Sequence, residues 1–239
     1  MSLISCKDLS LAYEGVNIVS NLNFSINFGD YLCIVGENGS GKSTLMKAIL
    51  GLKVPSSGTI SFSKEINKSD IGYLPQQTGI QKDFPASVYE VVLSGMVSKD
   101  KSFFYTKKSK QYAKEVMQRI GISDIANKSY KELSGGQQQR TLLARAICAT
   151  NKLIILDEPV SGLDPQITNE LYELIYELNK NGVTVIMVSH DILSAVKYSS
   201  HILHISKTPE FFGTKEEYIK SDIGKKYMNY HNQGEVTDA

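Results

Sequence analysis

The sequence is short of the features that mark several protein classes. Lysine and arginine outnumber aspartate and glutamate by one, 26 against 25, for a formal net charge of +1. That balance sets up no global field toward nucleic acid or an anionic bilayer, so any membrane attachment must come from specific docking. The cysteines are few. Cys6, Cys33 and Cys148 lie far apart with no metal-ligand spacing, and they read as small buried apolar residues in a reducing compartment. A spanning helix needs about 20 consecutive apolar residues, and the longest apolar stretches, Tyr31–Val35 and Val183–Val188, are strand-sized. Repeats and low-complexity tracts are absent. The opening MSLISCKDLS has no basic region followed by a long apolar segment, so the expectation is a chain that is neither secreted nor membrane-spanning.

What is present is a globular balance, 41% hydrophobic and 21% charged over 239 residues, enough for one large domain or a domain with a subdomain folded into it. Leu22, Phe24, Ile26 and Phe28 alternate with polar residues, which predicts a half-exposed, antiparallel strand. The runs YLCIV, LIIL and VTVIMV are continuous, as in strands covered on both faces of a parallel sheet. Helical spacing follows them at Leu45, Ala48, Ile49 and Leu52, and again at Ile167, Leu171, Leu174, Ile175 and Leu178. Asp164 fits as cap of the second helix, with Pro165 in its first turn and Gly182 past its end. Strand then helix, repeated, is an α/β pattern. Between Phe84 and Leu133 only helical spacing recurs, at Val88, Val91 and Val92 and then at Ala113, Val116, Met117 and Ile120. The predicted organisation is a core of residues 1–83 and 134–228, an inserted helical subdomain at about 84–133, and a polar, fraying tail at 229–239. The lysine-rich Ser98–Lys110 reads as a solvated linker carrying Phe103, Phe104, Lys107 and Lys108.

Residues 36–44 read GENGSGKST, a G-x-x-x-x-G-K-[ST] pattern between a buried strand and an amphipathic helix. Gly36, Gly39 and Gly41 let the backbone turn its N–H groups inward, and the helix starting near Lys42 adds its positive end. Glu37, Asn38, Ser40 and Thr44 complete this nucleotide-binding loop. Lys42 would reach the β- and γ-phosphates and Ser43 would ligate Mg²⁺. The strand LIIL ends in Asp157 and Glu158, at the edge where ligands gather in open α/β sheets. Asp157 suits Mg²⁺, and Glu158 is the candidate general base. His190 directly follows a strand and is placed to contact the γ-phosphate, whereas His201, His204 and His231 read as structural.

A second anion site is legible in Leu133–Gln137, LSGGQ. Ser134 is a good N-cap, and Gly135 and Gly136 leave the first-turn N–H groups bare, with Gln137 closing the motif. A whole helical segment separates it from the first site. A head-to-tail pair, each chain offering Ser134 and Gly136 to nucleotide on its partner's loop, would give two equivalent composite sites.

With GENGSGKST, YLPQ, LSGGQ, LIILDE, SGLD and SH in that order over nearly its whole length, the chain resembles the nucleotide-binding subunits of ABC transporters. The resemblance implies a P-loop NTPase core with a mainly parallel sheet, an antiparallel β edge subdomain and an inserted helical subdomain. It further implies MgATP hydrolysis in an ATP-dependent homodimer at the cytoplasmic face of the membrane, docked on a transmembrane permease, indirectly on a solute-binding protein, and not on nucleic acid. Tyr13 matches the adenine-stacking aromatic, Gln76 the residue that senses Mg²⁺ and the attacking water, and Asp164 the residue that communicates across the dimer seam. The segment DFPASVYEVVLSGM is similar to that of zinc and manganese importer ATPases, and the docking groove would lie between Gln76 and Gly95. A soluble ABC ATPase, a P-loop kinase or GTPase and a regulatory nucleotide-binding module are the rival readings.

Overall fold

The computed structural model describes residues 2–13, 15–67, 70–76, 85–97, 99, 104–206 and 209–234. In chain order the elements are β1 (Ser2–Tyr13), β2 (Val16–Asn27), β3 (Tyr31–Val35), α1 (Lys42–Ile49), β4 (Ser57–Phe62), β5 (Ile71–Leu74), α2 (Val88–Leu93), α3 (Lys107–Ile120), α4 (Gly135–Ala149), β6 (Leu153–Asp157), α5 (Pro165–Lys180), β7 (Thr184–Val188), α6 (Ile192–Tyr198), β8 (His201–Ile205), β9 (Pro209–Thr214), α7 (Lys215–Lys220) and α8 (Asp222–Gly234). They form two compact units, one of residues 1–65 with 184–239 and one of residues 66–183.

In the first unit, β1 is paired antiparallel with both β2 and β4. The alternation in β2 sets its faces: Leu22, Phe24 and Ile26 are buried while Asn21, Asn23, Ser25 and Asn27 are exposed. β3 lies between β7 and β8, parallel to both, and β9 runs antiparallel beside β8. Every residue of β3 and β7 is buried, the condition their unbroken apolar runs anticipate. Because Ile34 pairs with Val188, the C-terminal ends of β3 and β7 come out on one edge. Residues 36–41 leave from the first and Ser189–His190 from the second.

In the second unit, β5 and β6 are parallel, with Leu74 opposite Leu156, so the residues that follow each strand also share an edge. Helix α4 packs against β5, α2 and α3. Its approach is close at two glycines: a Cβ at Gly72 would lie 2.3 Å from the Ala146 carbonyl oxygen, and one at Gly95 would lie 2.1 Å from that of Arg145. Val88, Val91 and Val92 of α2, and Ala113, Val116, Met117 and Ile120 of α3, are buried as their spacing predicts.

Three local expectations change. Leu52 does not extend the apolar stripe of α1. Gly51 takes a left-handed φ of 72°, its N–H bonds the Ala48 carbonyl, and the Leu52 N–H bonds that of Lys47, a Schellman closure that leaves Leu52 exposed. The polar stretch through Lys110 is not all linker: Thr106 accepts a hydrogen bond from the Ser109 N–H and starts α3 at Lys107. Helix α8 runs to Gly234, so residues 229–234 are helical where a frayed tail was expected. Phe103, Asp83 and Phe84 lie outside the described residues. No helix among the described residues is long and apolar enough to cross a membrane.

Candidate nucleotide site

The loop after β3 is built by backbone conformation. Gly36, Gly39 and Gly41 have φ of 144°, 78° and 101°, values that side-chain-bearing residues rarely adopt. Space adds a second constraint at two of them. A Cβ on Gly36 would stand 2.0 Å from the Ile205 carbonyl oxygen, and one on Gly41 would meet the methyl groups of Val19 and Ile18 at 2.6 and 2.7 Å. The loop is thereby wedged between the end of β8 and strand β2 before α1 begins. Lys42 is buried, and its ammonium donates to the carbonyls of Gly36 and Glu37 at 2.8 and 2.7 Å. The Glu37 carbonyl also accepts the Ser40 N–H at 3.2 Å. Ser40 Oγ is buried without a hydrogen-bond partner among the described residues, while Ser43 at the head of α1 is exposed.

At the same edge of this unit, Ser189 is held by its N–H to the Ile34 carbonyl, and Asp191 caps α6 by accepting the Ser194 N–H. His190 sits between these two anchors with its ring exposed. The two histidines of β8 are held by neighbouring side chains. His201 bonds Ser200, and the fully buried His204 bonds the Tyr218 hydroxyl at 2.8 Å. The side chains of His231 and Tyr13 are outside the description.

In the second unit β6 carries buried Asp157 to its C-terminal end, and Glu158 follows with φ of 49°. A non-glycine residue held left-handed is uncommon and persists where its surroundings fix it. Here Gln76 Nε2 donates to Glu158 Oε2 at 2.8 Å, joining the residues that follow β5 and β6. Nearby, burial and then the negative charge of Asp157 raise the Tyr73 phenol above its ordinary value.

The start of α4 is a different kind of helix end. Ser134 Oγ accepts the Gln137 N–H at 3.4 Å, and Gln137 Oε1 accepts the Ser134 N–H at 3.1 Å, a reciprocal capping box. The S-x-x-Q spacing carries that signal. Gly136 is buried against α5, where a Cβ would lie 2.8 Å from the Ile167 side chain. Asp164 caps α5 through the Ile167 N–H at 3.0 Å, with Pro165 in the first turn. Gln76, Asp157 and Glu158 are thus gathered within one unit, and the phosphate loop and His190 within the other.

Within the first unit the loop suits a polyphosphate, because its glycine-shaped backbone opens a helix with no acidic residue in the first turn. Ser43 in this unit and Asp157 in the other are each oxygen donors of the kind a small hard cation takes. The cysteines take no part. Cys6, Cys33 and Cys148 are buried and reduced, and burial pushes the thiols of Cys6 and Cys148 up to about 12.

Residues 19–161 match the ABC transporter family, and the chain belongs to that family as its ATP-hydrolysing component. It is similar to the zinc uptake system ATP-binding protein ZurA of Listeria monocytogenes, at 36% identity with 90% of this chain and 87% of the relative covered. It is similar also to the manganese transport system ATP-binding protein MntB of Bacillus subtilis, at 35% identity over 94% and 92%. Among solved structures it superposes on a dimeric, post-hydrolysis ATP-binding cassette, MJ0796, bound to ADP and Pi, with a TM-score of 0.75, 26% identity and 89% and 99% coverage. The α/β P-loop fold with its mainly parallel strands and antiparallel edge is the one the motifs implied.

Proposed function

We propose that the chain is the ATPase subunit of a divalent transition-metal importer, working as a head-to-tail homodimer on the cytoplasmic face of a membrane permease that a solute-binding protein supplies. The domain reading is a single ATPase domain, with core 1–83 and 134–228, helical subdomain about 84–133 and tail 229–239. The observation that carries the catalytic part is the Gln76–Glu158 hydrogen bond at 2.8 Å, made by a glutamate whose backbone is held left-handed at the end of a buried strand. Such a carboxylate is aimed by its backbone and restrained by its neighbour, as a general base for water requires.

The residue roles follow from chemistry. Gly36–Thr44 wraps the phosphates with backbone N–H groups, and Lys42 exchanges the carbonyls of Gly36 and Glu37 for phosphate oxygens. Tyr13 stacks on adenine. Ser43, Asp157 and Gln76 are the residues that would hold Mg²⁺, which when bound neutralises phosphate charge. Glu158 takes the proton of the attacking water, with His190 steadying the γ-phosphate side. The N–H groups of Gly135 and Gly136, with Ser134 and Gln137, face the nucleotide of the partner copy, and Asp164 links the two sites. Loss of the γ-phosphate removes the shared ligand and opens the dimer.

The permease docks beside Gln76. There Pro75, Pro85, Glu90, Ser94, Tyr130 and Arg145 line a cavity of about 580 Å³ between β5, α2 and α4. Support for the metal cargo is the shared likeness to zinc and manganese system ATPases. The test is to purify the chain from membranes with its permease, reconstitute it, and ask which cation, delivered with its binding protein, raises ATP turnover. Stimulation by an organic solute and by no divalent metal ion would overturn the cargo assignment.

A further inference from the structure

The outer limb of the phosphate loop is tied to the C-terminal helix. Glu37 is the loop's pivot: its carbonyl accepts both the Lys42 ammonium at 2.7 Å and the Ser40 N–H at 3.2 Å. Its side chain is exposed, yet Oε1 accepts the Tyr227 hydroxyl at 3.1 Å, from a residue 190 positions away on α8. Tyr227 is itself seated. Its ring packs on His204 with centroids 4.4 Å apart, and His204, buried in β8, lies in register with Val35, the last residue before the loop. His204 is fixed in turn by Tyr218 of α7 through the 2.8 Å bond at Nδ1. Strand β8 and α7 therefore seat the tyrosine of α8 that reaches one residue of the loop, and nothing in the nucleotide-binding motif itself calls for this.

We propose that Tyr227 is a positioning residue for nucleotide binding, holding Glu37 so that Lys42 and the loop N–H groups are already spaced for a triphosphate. Without that bond the Glu37 carbonyl, freed at its side chain, follows the Lys42 ammonium into the loop, and part of the binding energy goes to reopening it. A single hydrogen bond to a carboxylate near the surface corresponds to a loss of about three- to tenfold in affinity. Tyr227→Phe is the informative change, because it keeps the ring against His204 and removes only the donor. The proposal rests on residues 36–44 being the phosphate loop.

The test is titration of the full chain with a fluorescent ATP analogue and Mg²⁺, paired with steady-state ATP turnover. Tyr227→Phe is expected to weaken binding about three- to tenfold and to raise KM by a similar factor with a smaller change in kcat. Glu37→Ala is expected to lose a similar factor, and the double variant no more than either alone, because both remove one bond. Wild-type affinity in Tyr227→Phe, or losses that multiply in the double variant, overturns the proposal. Lys42→Ala separates it from its premise: if that variant binds nucleotide normally, the phosphate-loop reading fails whatever Tyr227 does. Should Tyr227→Phe lower the melting temperature, the Glu37→Ala result with α8 intact decides.

Discussion

The two helix starts proposed as anion sites, before α1 and before α4, are made differently. The loop before α1 is held by glycine backbones in left-handed conformations and by packing against Ile205, Ile18 and Val19. Its lysine sits inside, bonded to the loop's own carbonyls. The start of α4 has no left-handed residue among Ser134–Gln137, and it is closed by an ordinary capping box. The first is preformed by glycines, whose backbones reach these conformations without the penalty that a side chain would bring. The second is a stable helix terminus, which in the proposed dimer meets the phosphate on the partner's loop. The proposed head-to-tail pair uses both: one preformed cradle, and one helix terminus that is already stable when exposed.

The comparison can be broken first at the chemistry beyond both helix starts. Glu158→Gln is expected to keep nucleotide binding and lower kcat by about 10²–10⁴-fold. With ATP it should run as a dimer on size exclusion, and a monomer that turns over normally would remove Glu158 from its role. Next come the glycines. Gly36→Ala drives a methyl into the Ile205 carbonyl and is expected to cost about 3 kcal/mol or more in urea unfolding, with loss of ATP binding. Gly136→Ala presses only on the Ile167 side chain, which can turn, and is expected to cost about 1–3 kcal/mol with monomer ATP binding retained. Equal effects at the two positions would erase the distinction drawn between the sites.

Ser134 sharpens the contrast further. Ser134→Ala is expected to lose about 1 kcal/mol of stability with the cap, and Ser134→Asp to keep the cap while setting a carboxylate against the partner's γ-phosphate. If ATP-driven dimerisation survives Ser134→Asp, α4 does not face that phosphate. The smallest effect concerns acid. Burial lowers the His204 pKa, with Lys42 pushing the same way and Glu210 and Glu37 opposing; the rings of Tyr218 and Tyr227 pack on it. An unfolded chain then binds a proton that the folded chain refuses. Stability is fully present above the ordinary histidine value of 6.5 and falls as pH drops below it. Melting curves of His204→Gln between pH 7 and 5 should be flatter than those of the wild type.

Much of the fold was legible because the periodicities are clean. Leu22, Phe24 and Ile26 could only alternate, and the run Leu153–Leu156 could only be covered twice. What misled was local polarity. Lys107–Lys110 looked like linker because charge counts hide a helix start, whereas Thr106 with Ser109 three residues on spelled the cap. Leu52 kept the helical spacing, but Gly51 had already ended the turn. At the site, Gln137 was recoverable from S-x-x-Q, while the left-handed backbone of Glu158 was not, since glutamate has no preference for that conformation.

The sequence by itself determined the candidates for the proposed nucleotide site, from Gly36–Thr44 through Asp157, Glu158 and His190. Phosphate loops, strand ends and caps are local patterns whose chemistry fits within a few residues. Tertiary structure alone decided how those groups are aimed. Gln76 reaches Glu158 across 82 positions, and Tyr227 reaches Glu37 across 190. The first bond exists because β5 and β6 run parallel and end together, the second because α8 packs back on β8 at His204, and no short window of residues encodes either.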